Sequence, residues 1–311
     1  MHVPEAFGLR KGWHLRPLRP HSEADTAPGA TPITLLAPSP PAPAAPVLPR
    51  ARGHVRLVAQ AREDSTALSE FRPSGSLRCL FPRRKDGRLD AVLLNTAGGL
   101  TGGDRFGVEA SVRPAGHLCV TTQAAERVYA ALPGDPARME SRLHVAEGAR
   151  LDWLPQETIL FEGAALDRRL TVTLAPGARL LLVEPLIFGR LARGEVLTRA
   201  TLRDRVAVDR GGLPLWRDGI DLGPAISALM DRAAIGGGAR AMASLLFVAA
   251  EAEGHLEPLR AMLPDTGGVS LVGADVLALR LLAADGFDLR RMLLPILDRL
   301  TGGDLPKCWR L

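Results

Sequence analysis

Short apolar runs broken by polar residues dominate the chain from about residue 51 onward. In Val55-Arg-Leu-Val, apolar and charged positions alternate at the two-residue period of a β-strand. Residues 77–82 and 90–95 are short apolar runs that end in turn-forming residues, which is typical of strands. This pattern predicts a mainly β fold for most of the chain.

A weak internal repeat of about 30 residues runs through the middle of the chain. Its three copies begin at Pro114, Glu147 and Pro176 and read PAGHLCV, EGARLDW and PGARLLL. Gln123 and Gln156 follow the shared leucine at the same distance in the first two copies. The glycines of the three copies are Gly116, Gly148 and Gly177. Such a repeat predicts a coiled, β-helix-like stack in which each coil is strand, glycine turn, strand. An ordinary β-sandwich with similar hairpins fits the pattern equally well.

The last third of the chain mixes helical and strand patterns, so a few short helices are expected there. Residues 224–234 predict a short helix, and residues 241–250 predict a strand. Residues 285–300 carry apolar positions at helical spacing, and Pro295 inside them is expected to kink or limit the helix. We interpret this apolar stripe as core packing rather than as a groove for a partner.

The first 50 residues differ in composition from the rest. A proline- and alanine-rich run from Ala37 to Pro49 cannot bury a core, so residues 1–50 are predicted to be a disordered extension. They lack the charged region, apolar stretch and cleavage site that mark a signal peptide. We therefore expect a single β-rich domain over residues 51–311 and a dispensable arm before it.

Charge and composition narrow the function classes. The net charge is +5, mostly from arginines interleaved with acids, and only 4% of residues are aromatic, too few to favour a base-stacking nucleic-acid surface. No apolar run approaches the ~20 residues of a membrane helix, so no membrane span is expected. Three scattered cysteines without C-x-x-C and seven scattered histidines without H-E-x-x-H argue against a disulfide framework and a permanent zinc-type site. A reducing, cytoplasmic compartment is expected.

The most unusual short stretch is NTAGGLTGGDR, residues 95–105, in which four glycines precede an acid and a base. Gly98 and Gly103 have the spacing of a P-loop, but Asp104 and Arg105 stand where that loop has Lys and Ser or Thr. A carboxylate there would repel a phosphate, so nucleotide binding is not predicted. The stretch is interpreted as a tight turn, free of side chains, at which neighbouring coils or a partner pack closely.

Acidic residues inside or beside apolar segments are the main candidates for chemistry. Glu157 and Glu162 lie in WLPQETILFE, Asp104 follows the glycines, and Glu184 ends the run LLLVE. A buried carboxylate is costly unless it is paired or ligated. Two interpretations remain open. One is structural, by pairing with an arginine or with backbone N–H groups of a turn, and the other is a polar passage for an ion.

Four segments of the chain, taken in order, carry a family resemblance: NTAGGLTGGDR at 95–105, TTQAAERVY at 121–129, WLPQETILFE at 153–162 and GRLARGE at 189–195. Together with the ending LPKCWR they resemble the UreD family of urease accessory proteins, also called UreH. Arg127 stands where the family commonly has lysine. The resemblance covers the chain from about residue 51 to the end and leaves the proline-rich arm outside.

The resemblance implies a non-enzymatic assembly factor with a β-rich, coil-like fold. UreD proteins bind UreF, which recruits the GTPase UreG, and the complex docks on apo-urease and helps to place nickel in its active site. On this basis no cofactor is bound permanently, nickel passes transiently through a proposed internal tunnel, and GTP belongs to the UreG partner. A dimeric complex through UreF is also expected.

Sparse carboxylates bind nickel more weakly than Cys/His clusters and exchange it faster, which suits a relay. The residues expected to line the nickel passage are therefore Asp104, Glu126, Glu157, Glu162 and Glu184. The residues expected to be structural or interfacial are Gly98, Gly99, Gly102, Gly103, Arg105, Arg190 and Glu195. Glu157→Gln is expected to lower nickel loading of urease and leave complex assembly intact, whereas failed assembly would make Glu157 structural.

Two other function classes remain open from the sequence. An uncharacterised hydrolase would need a nucleophile, but no G-x-S-x-G motif occurs and no cysteine has an adjacent histidine. A ligand-binding β-solenoid is the other alternative, although the low aromatic content argues against sugar-stacking platforms. Capture of a helical accessory protein together with a small GTPase would favour the scaffold function.

Overall fold

The computed structural model describes residues 49–84 and 86–310, and this part of the chain is mainly β. The extension predicted for residues 1–50 lies outside the described residues, apart from its last two positions. No helix within the described part has the length and apolar content needed to span a membrane.

The described residues form strands and three α-helices in the following order, with three short 3-10 helices between or after them. The elements are β1 (Arg52–Arg62), β2 (Ser65–Gly75), β3 (Leu77–Leu80), β4 (Leu89–Asn95), β5 (Arg105–Val112), β6 (His117–Thr122), β7 (Glu126–Val128), β8 (Ala137–Val145), β9 (Arg150–Leu154), β10 (Thr158–Leu160), β11 (Ala165–Leu174), β12 (Arg179–Phe188), β13 (Thr201–Arg210), β14 (Leu213–Leu222), α1 (Ile226–Asp231), β15 (Ala241–Val248), α2 (Leu256–Met262), β16 (Gly267–Val272), β17 (Val276–Ala283) and α3 (Gly286–Thr301). The 3-10 helices are Leu191–Arg193, Ala252–His255 and Lys307–Arg310.

Two sheets build the body as a β-solenoid-like stack of coils. Sheet A has the strand order β14-β13-β11-β8-β5-β1-β2, and sheet B has the order β16-β17-β15-β12-β9-β6-β4-β3. In each sheet the central strands are parallel: β5, β8, β11 and β13 in sheet A, and β4, β6, β9 and β12 in sheet B. Successive parallel strands of one sheet are connected through a strand of the other, so the coiled stack is confirmed over the ordinary sandwich.

The repeat in the sequence corresponds to the turns that carry the chain from sheet A to sheet B. Its shared leucines, Leu118, Leu151 and Leu180, are direct neighbours in the register of β6, β9 and β12. Successive turns are also hydrogen-bonded to each other, for example from Arg150 N to Gly116 O at 2.8 Å. The repeat is therefore one turn of the coil.

The glycine of the first copy stands one position later than those of the other two when the copies are aligned on the shared leucine. The turn needs a left-handed residue, which is Gly148 at φ 65° in the second copy and Gly177 at φ 71° in the third. In the first copy that residue is Ala115 at φ 57°, one position before Gly116. The left-handed position is therefore the same in all three turns, although glycine occupies it in only two of them.

The two sheets differ in how many of their faces are buried. Buried and exposed residues alternate in β8 and β11, so sheet A has one face in the core and one in solvent. In β9 and β12 nearly every residue is buried, because sheet B packs against sheet A on one face and against α2 and α3 on the other. A cavity between the sheets is therefore shielded from solvent on both sides.

The C-terminal third follows its sequence pattern, and Pro295 does not end the helix. The predicted short helix and strand are α1 and β15. In α3, Asp285 caps the N-terminus by accepting a hydrogen bond from Asp288 N at 2.8 Å, and the helix continues through Pro295 to Thr301. Its apolar stripe packs against the outer face of sheet B, as interpreted; the buried stripe residues are Leu289, Leu293, Ile296, Leu297 and Leu300.

Candidate functional site

A cavity of about 360 Å³ lies between the two sheets, and the unusual sequence segments meet on it. Its lining includes residues 95–96 and 98–99 of the glycine loop, residues 122–127 after β6, and parts of residues 153–158. Sheet A contributes β5, β8 and β11, and β12 contributes Glu184. Several residues that line the cavity near the glycine loop are exposed, so the cavity opens to solvent there. We call this space the first cavity.

Gly99 makes the narrow fold of the loop at the opening possible. Its φ of 148° is a conformation that residues with side chains rarely adopt, and an added Cβ would lie 2.4 Å from the Tyr129 ring and 2.7 Å from Arg127 O. Asn95 fixes the same loop, because its Nδ2 donates to Gly99 O at 3.1 Å and to Glu126 Oε1 at 3.0 Å. The bare backbone is thus required by close packing against β7.

The second half of the glycine loop packs against the next coil. A Cβ on Gly102 would lie 2.7 Å from Ala131 Cβ and 2.9 Å from Asp135 O. Gly103 N donates to Pro136 O at 3.3 Å, and Arg105 begins β5 with an exposed side chain. Of the two interpretations of the glycines, packing between neighbouring coils therefore describes Gly99 and Gly102.

Glu126 is the predicted passage residue nearest to the opening of the first cavity. Burial raises the pKa of its carboxyl group to about 7, and the hydrogen bond from Asn95 offsets part of that rise. A carboxyl group with this pKa exchanges a proton near neutral pH. It can therefore be either a neutral hydrogen-bonding group or an anionic ligand for a cation.

Glu184 lies deeper, in a cluster of buried charges. Its Oε1 accepts a hydrogen bond from Trp153 Nε1 at 2.7 Å, and its Oε2 lies 2.5 Å from Nη1 of Arg168. Arg168 in turn donates to Asp204 through Nε at 3.0 Å and Nη2 at 2.6 Å, and to Thr158 Oγ1 through Nη1 at 3.3 Å. Burial and the nearby Asp204 charge raise the pKa of Glu184, against the attraction of Arg168.

A second cavity, of about 520 Å³, lies on the other side of this cluster. It is bounded by β13 and β14 of sheet A and by β12 and β15 to β17 of sheet B. Glu184 lines both cavities, Arg168 lines the first, and Asp204 lines the second. Because Glu184 lines both cavities, the charge cluster is the partition between them.

Asp104 lies away from the cavity and has a structural role. It is 4% exposed, and its two carboxylate oxygens accept hydrogen bonds from Ala51 N and Thr101 N, each at 2.8 Å. The geometry is that of a turn carboxylate bound to backbone N–H groups, one of the two interpretations open from the sequence. The hydrogen bond from Ala51 N also ties the glycine loop to the start of β1.

Glu157 is bound to the C-terminal helix instead of lining the first cavity. Arg290 of α3 donates to its Oε1 at 3.0 Å and its Oε2 at 2.9 Å, and also donates to Trp309 O at 3.2 Å. Such bidentate pairing compensates the buried charge. The ion pair joins sheet B to α3 and to the end of the chain.

Glu162 also lies outside the first cavity, in a loop cluster. Its carboxylate accepts hydrogen bonds from Thr198 N, Thr198 Oγ1 and Arg199 Nε at 2.7, 2.6 and 3.0 Å. Burial alone would raise the pKa of Glu162, but these hydrogen bonds outweigh it and lower the pKa to about 2. The group holds residues 195–199 against the end of β10.

Arg190 and Glu195, predicted to be structural or interfacial, close the same loop. Glu195 accepts hydrogen bonds from Arg190 N at 2.9 Å and Arg190 Nη2 at 2.6 Å, and from Glu162 N at 3.2 Å. The Arg190 guanidinium lies over the Phe161 ring, 4.1 Å from its centroid. These contacts fix the conformation of the loop between Arg190 and Glu195, and they do not place it at the first cavity.

The structure thus brings two of the five predicted passage residues, Glu126 and Glu184, to the first cavity. It also adds Arg168 and Asp204, which the sequence reasoning missed. A signal was available, because Arg168 and Asp204 both stand in phase with the buried apolar residues of β11 and β13, at inward-facing positions. They are also direct partners in the parallel register of these two strands.

The described residues contain no group of three or more His, Cys, Asp or Glu side chains arranged to hold a metal ion. Cys79, Cys119 and Cys308 are free thiols. Burial raises the pKa of Cys79 to about 12 and raises that of Cys119 as well. A raised pKa disfavours the thiolate form that nucleophilic cysteines and soft metal sites need.

Sequence comparisons agree on one family. Residues 51–310 match the family described as UreD urease accessory protein. A urease accessory protein UreD of Ruegeria pomeroyi is 50% identical over 246 residues, which cover 79% of this chain and 96% of that protein. Those of Roseobacter denitrificans and, as UreD 1, of Brucella melitensis are 47% and 42% identical, covering 85% of this chain and 96% and 95% of their own lengths. The chain belongs to the UreD family of urease accessory proteins.

Proposed function

We propose that this chain is the scaffold and metallochaperone subunit of a urease-activating complex. In this proposal it works in the cytoplasm with UreF and the GTPase UreG, in a complex made dimeric through UreF, and docks on apo-urease. The observation that carries the proposal is that parts of three of the four segments behind the family resemblance line one cavity between the sheets. Segments from separate parts of the chain that line one interior space favour a role for that space.

The cargo of the proposed passage is nickel, and GTP is supplied through UreG. Glu126, Glu184 and Asp204 offer oxygen donors along the two cavities, and oxygen donors hold nickel less tightly than thiolate or imidazole clusters do. Weak binding suits transfer, because a tightly held ion would not be released to urease. Asp104, Glu157 and Glu162 are fully engaged in structural contacts, so we leave them out of the passage.

Filling the first cavity with a large side chain tests this function. Ala125 lines the cavity beside Glu126, whereas Ala97 is exposed on the glycine loop and is outside the lining. Ala125→Trp should fill the cavity, so urease purified from cells carrying it should lack most of its nickel while the accessory complex still forms. Ala97→Trp is the matched control and should leave nickel content unchanged. Full nickel loading with folded Ala125→Trp in the complex would refute the passage.

A further inference from the structure

The partition between the two cavities contains a positive charge, which is unexpected on a route for a cation. The inference drawn from it rests on the proposed function. Arg168 is 7% exposed and Glu184 is 5% exposed, so neither charge is compensated by bulk water. Burial alone would lower the pKa of the Arg168 guanidinium, but Asp204 and Glu184 outweigh it, so the pKa is raised. The side chain remains a cation in place.

Arg168 is held unequally by its two acidic partners. Asp204 receives a bidentate pair of hydrogen bonds, at 3.0 and 2.6 Å, which fixes the plane of the guanidinium. Glu184 is approached only by Nη1, which is also shared with Thr158 Oγ1. The guanidinium can therefore release Glu184 and remain anchored on Asp204.

The charge balance of the cluster favours exchange with a divalent cation. With both carboxyl groups ionised, Glu184 and Asp204 carry two negative charges against one positive charge on Arg168, so one unit of negative charge is in excess. In an interior of low effective dielectric constant that excess attracts cations strongly. A divalent ion at Glu184 would remove the excess, and Arg168 would retain its contact with Asp204.

Two further polar groups that line the cavities lack partners within the described residues. Ser244 stands directly opposite Glu184 in the register of β12 and β15, lines the second cavity, and has a buried Oγ without a hydrogen bond. Gln156 is 4% exposed, lines the first cavity, and has an unpaired Nε2. Buried polar groups are rarely left unpaired, so both point to water or another ligand in the cavities.

We propose that Arg168 acts as a gate between the two cavities. Its guanidinium is the counter-ion of Glu184, and a divalent cation that crosses between the cavities displaces the guanidinium from this carboxylate. Without a resident counter-charge, Glu184 would retain the ion that it should pass on. Because the guanidinium competes for the same carboxylate, it shortens the time for which the cation remains bound to Glu184.

Nickel binding to the purified full-length chain tests the gate without urease. The informative variant is Arg168→Met combined with Asp204→Asn, because it removes one positive and one negative charge and leaves the net charge of the interior unchanged. Equilibrium dialysis with Ni²⁺ alone should show at least about tenfold tighter binding than wild type, since Glu184 no longer has a competing cation. Adding Glu184→Gln should abolish the gain.

Wild-type Ni²⁺ affinity in the folded Arg168→Met, Asp204→Asn variant would overturn the proposed gate. A gain in Ni²⁺ affinity that remains after Glu184→Gln is added would overturn it as well. If the double variant does not fold, Arg168→Lys decides, because an ammonium cannot form the fork to Asp204 and should hold Glu184 less well. That variant should bind Ni²⁺ more tightly than wild type, and wild-type affinity would overturn the gate. The readout is independent of urease, so failure of the proposed function would appear separately, as normal urease activation without the chain.

Discussion

Glu126 is the residue whose surroundings change its chemistry most clearly. It lies at the opening of the first cavity with a single side-chain donor, Asn95, and its pKa is raised to about 7. Glu162, by contrast, has several donors and a pKa lowered to about 2. Burial raises the pKa of Glu126 with one side-chain donor to oppose it, whereas the several donors of Glu162 keep its carboxyl group ionised.

The first prediction concerns the pH dependence of stability. Between its ordinary pKa of 4.5 and about 7, Glu126 binds a proton in the folded state and loses it on unfolding. The free energy of unfolding therefore falls as pH rises through this interval. Glu126→Gln removes the effect, so its stability relative to wild type should rise by about 2–3 kcal/mol between pH 5 and pH 8.

Urea unfolding at several pH values measures that difference, with Glu162→Gln as the control. The Glu162 carboxylate stabilises the fold above its ordinary pKa, and this stabilisation is lost only as pH falls through about 2. Glu162→Gln should therefore show a constant loss between pH 5 and pH 8. A Glu126→Gln difference that is also constant would show that Glu126 does not titrate in this interval.

The second prediction concerns Ala115, which occupies a left-handed position with φ 57°. A residue with a Cβ is strained there by roughly 1–2 kcal/mol, partly offset by the flexibility that glycine adds to the unfolded chain. Ala115→Gly should therefore raise the free energy of unfolding by about 0.5–1 kcal/mol. Ala146→Gly, in the equivalent turn of the next coil but without positive φ, should lower it. Equal effects of both variants would contradict the strain.

At the scale of elements, helix α3 is joined to sheet B by apolar packing and by one ion pair. The stripe from Leu289 to Leu300 supplies the packing, and Arg290 supplies the charge opposite Glu157. Arg290 also donates to Trp309 O, so the same side chain fixes the end of the chain. Losing Glu157 would therefore disturb the docking of a whole element.

The third prediction follows from that ion pair. Glu157→Gln leaves Arg290 without its charged partner, so the free energy of unfolding should fall by about 2 kcal/mol, since Arg290 retains some contact with water. Removing the arginine as well, in Glu157→Gln with Arg290→Met, should recover most of the loss. Glu257→Gln, which breaks an exposed pair with Arg260, should change stability by less than about 0.5 kcal/mol.

Thermal unfolding of these variants also decides how the sequence-based expectation for Glu157 is resolved. If Glu157→Gln has normal stability but urease is poorly loaded with nickel, Glu157 is again a candidate residue of the nickel passage. Reduced stability with failed assembly would make it structural, as its contacts with Arg290 indicate.

The elements were predictable from the sequence where the signal is local. Alternation around Val55 identified a strand, and the repeated leucines proved to be stacked neighbours in sheet B. The glycine of the first copy does not mark the left-handed position of its turn, because Ala115 takes that conformation instead. Pro295 was expected to kink or limit α3; the helix is not limited there, because tertiary packing of the stripe maintains it through Thr301.

The site was less predictable because its contacts join distant parts of the chain. Glu157 was a clear candidate for pairing, but its partner Arg290 lies 133 residues away and is set by how α3 docks. Arg168 and Asp204 were missed although both stand at inward positions of alternating strands. Searching each strand for charges on its inward face would have found them.

For the whole molecule, the stack of coils brings segments that are far apart in sequence to one cavity between the sheets. The outer face of sheet A is exposed to solvent. The charged partition at Glu184 lies between the first and second cavities. Under the proposed function, partners bind the surface of this stack and nickel crosses between its cavities.

The nickel content of urease, measured per active site, tests this account most directly. Urease should be purified from cells that lack this chain, from cells with the chain restored, and from cells given residues 51–311 alone. The account predicts nickel-poor, inactive urease without the chain and full loading with either restored form. Urease that reaches full nickel content and activity at the normal rate without the chain would contradict it.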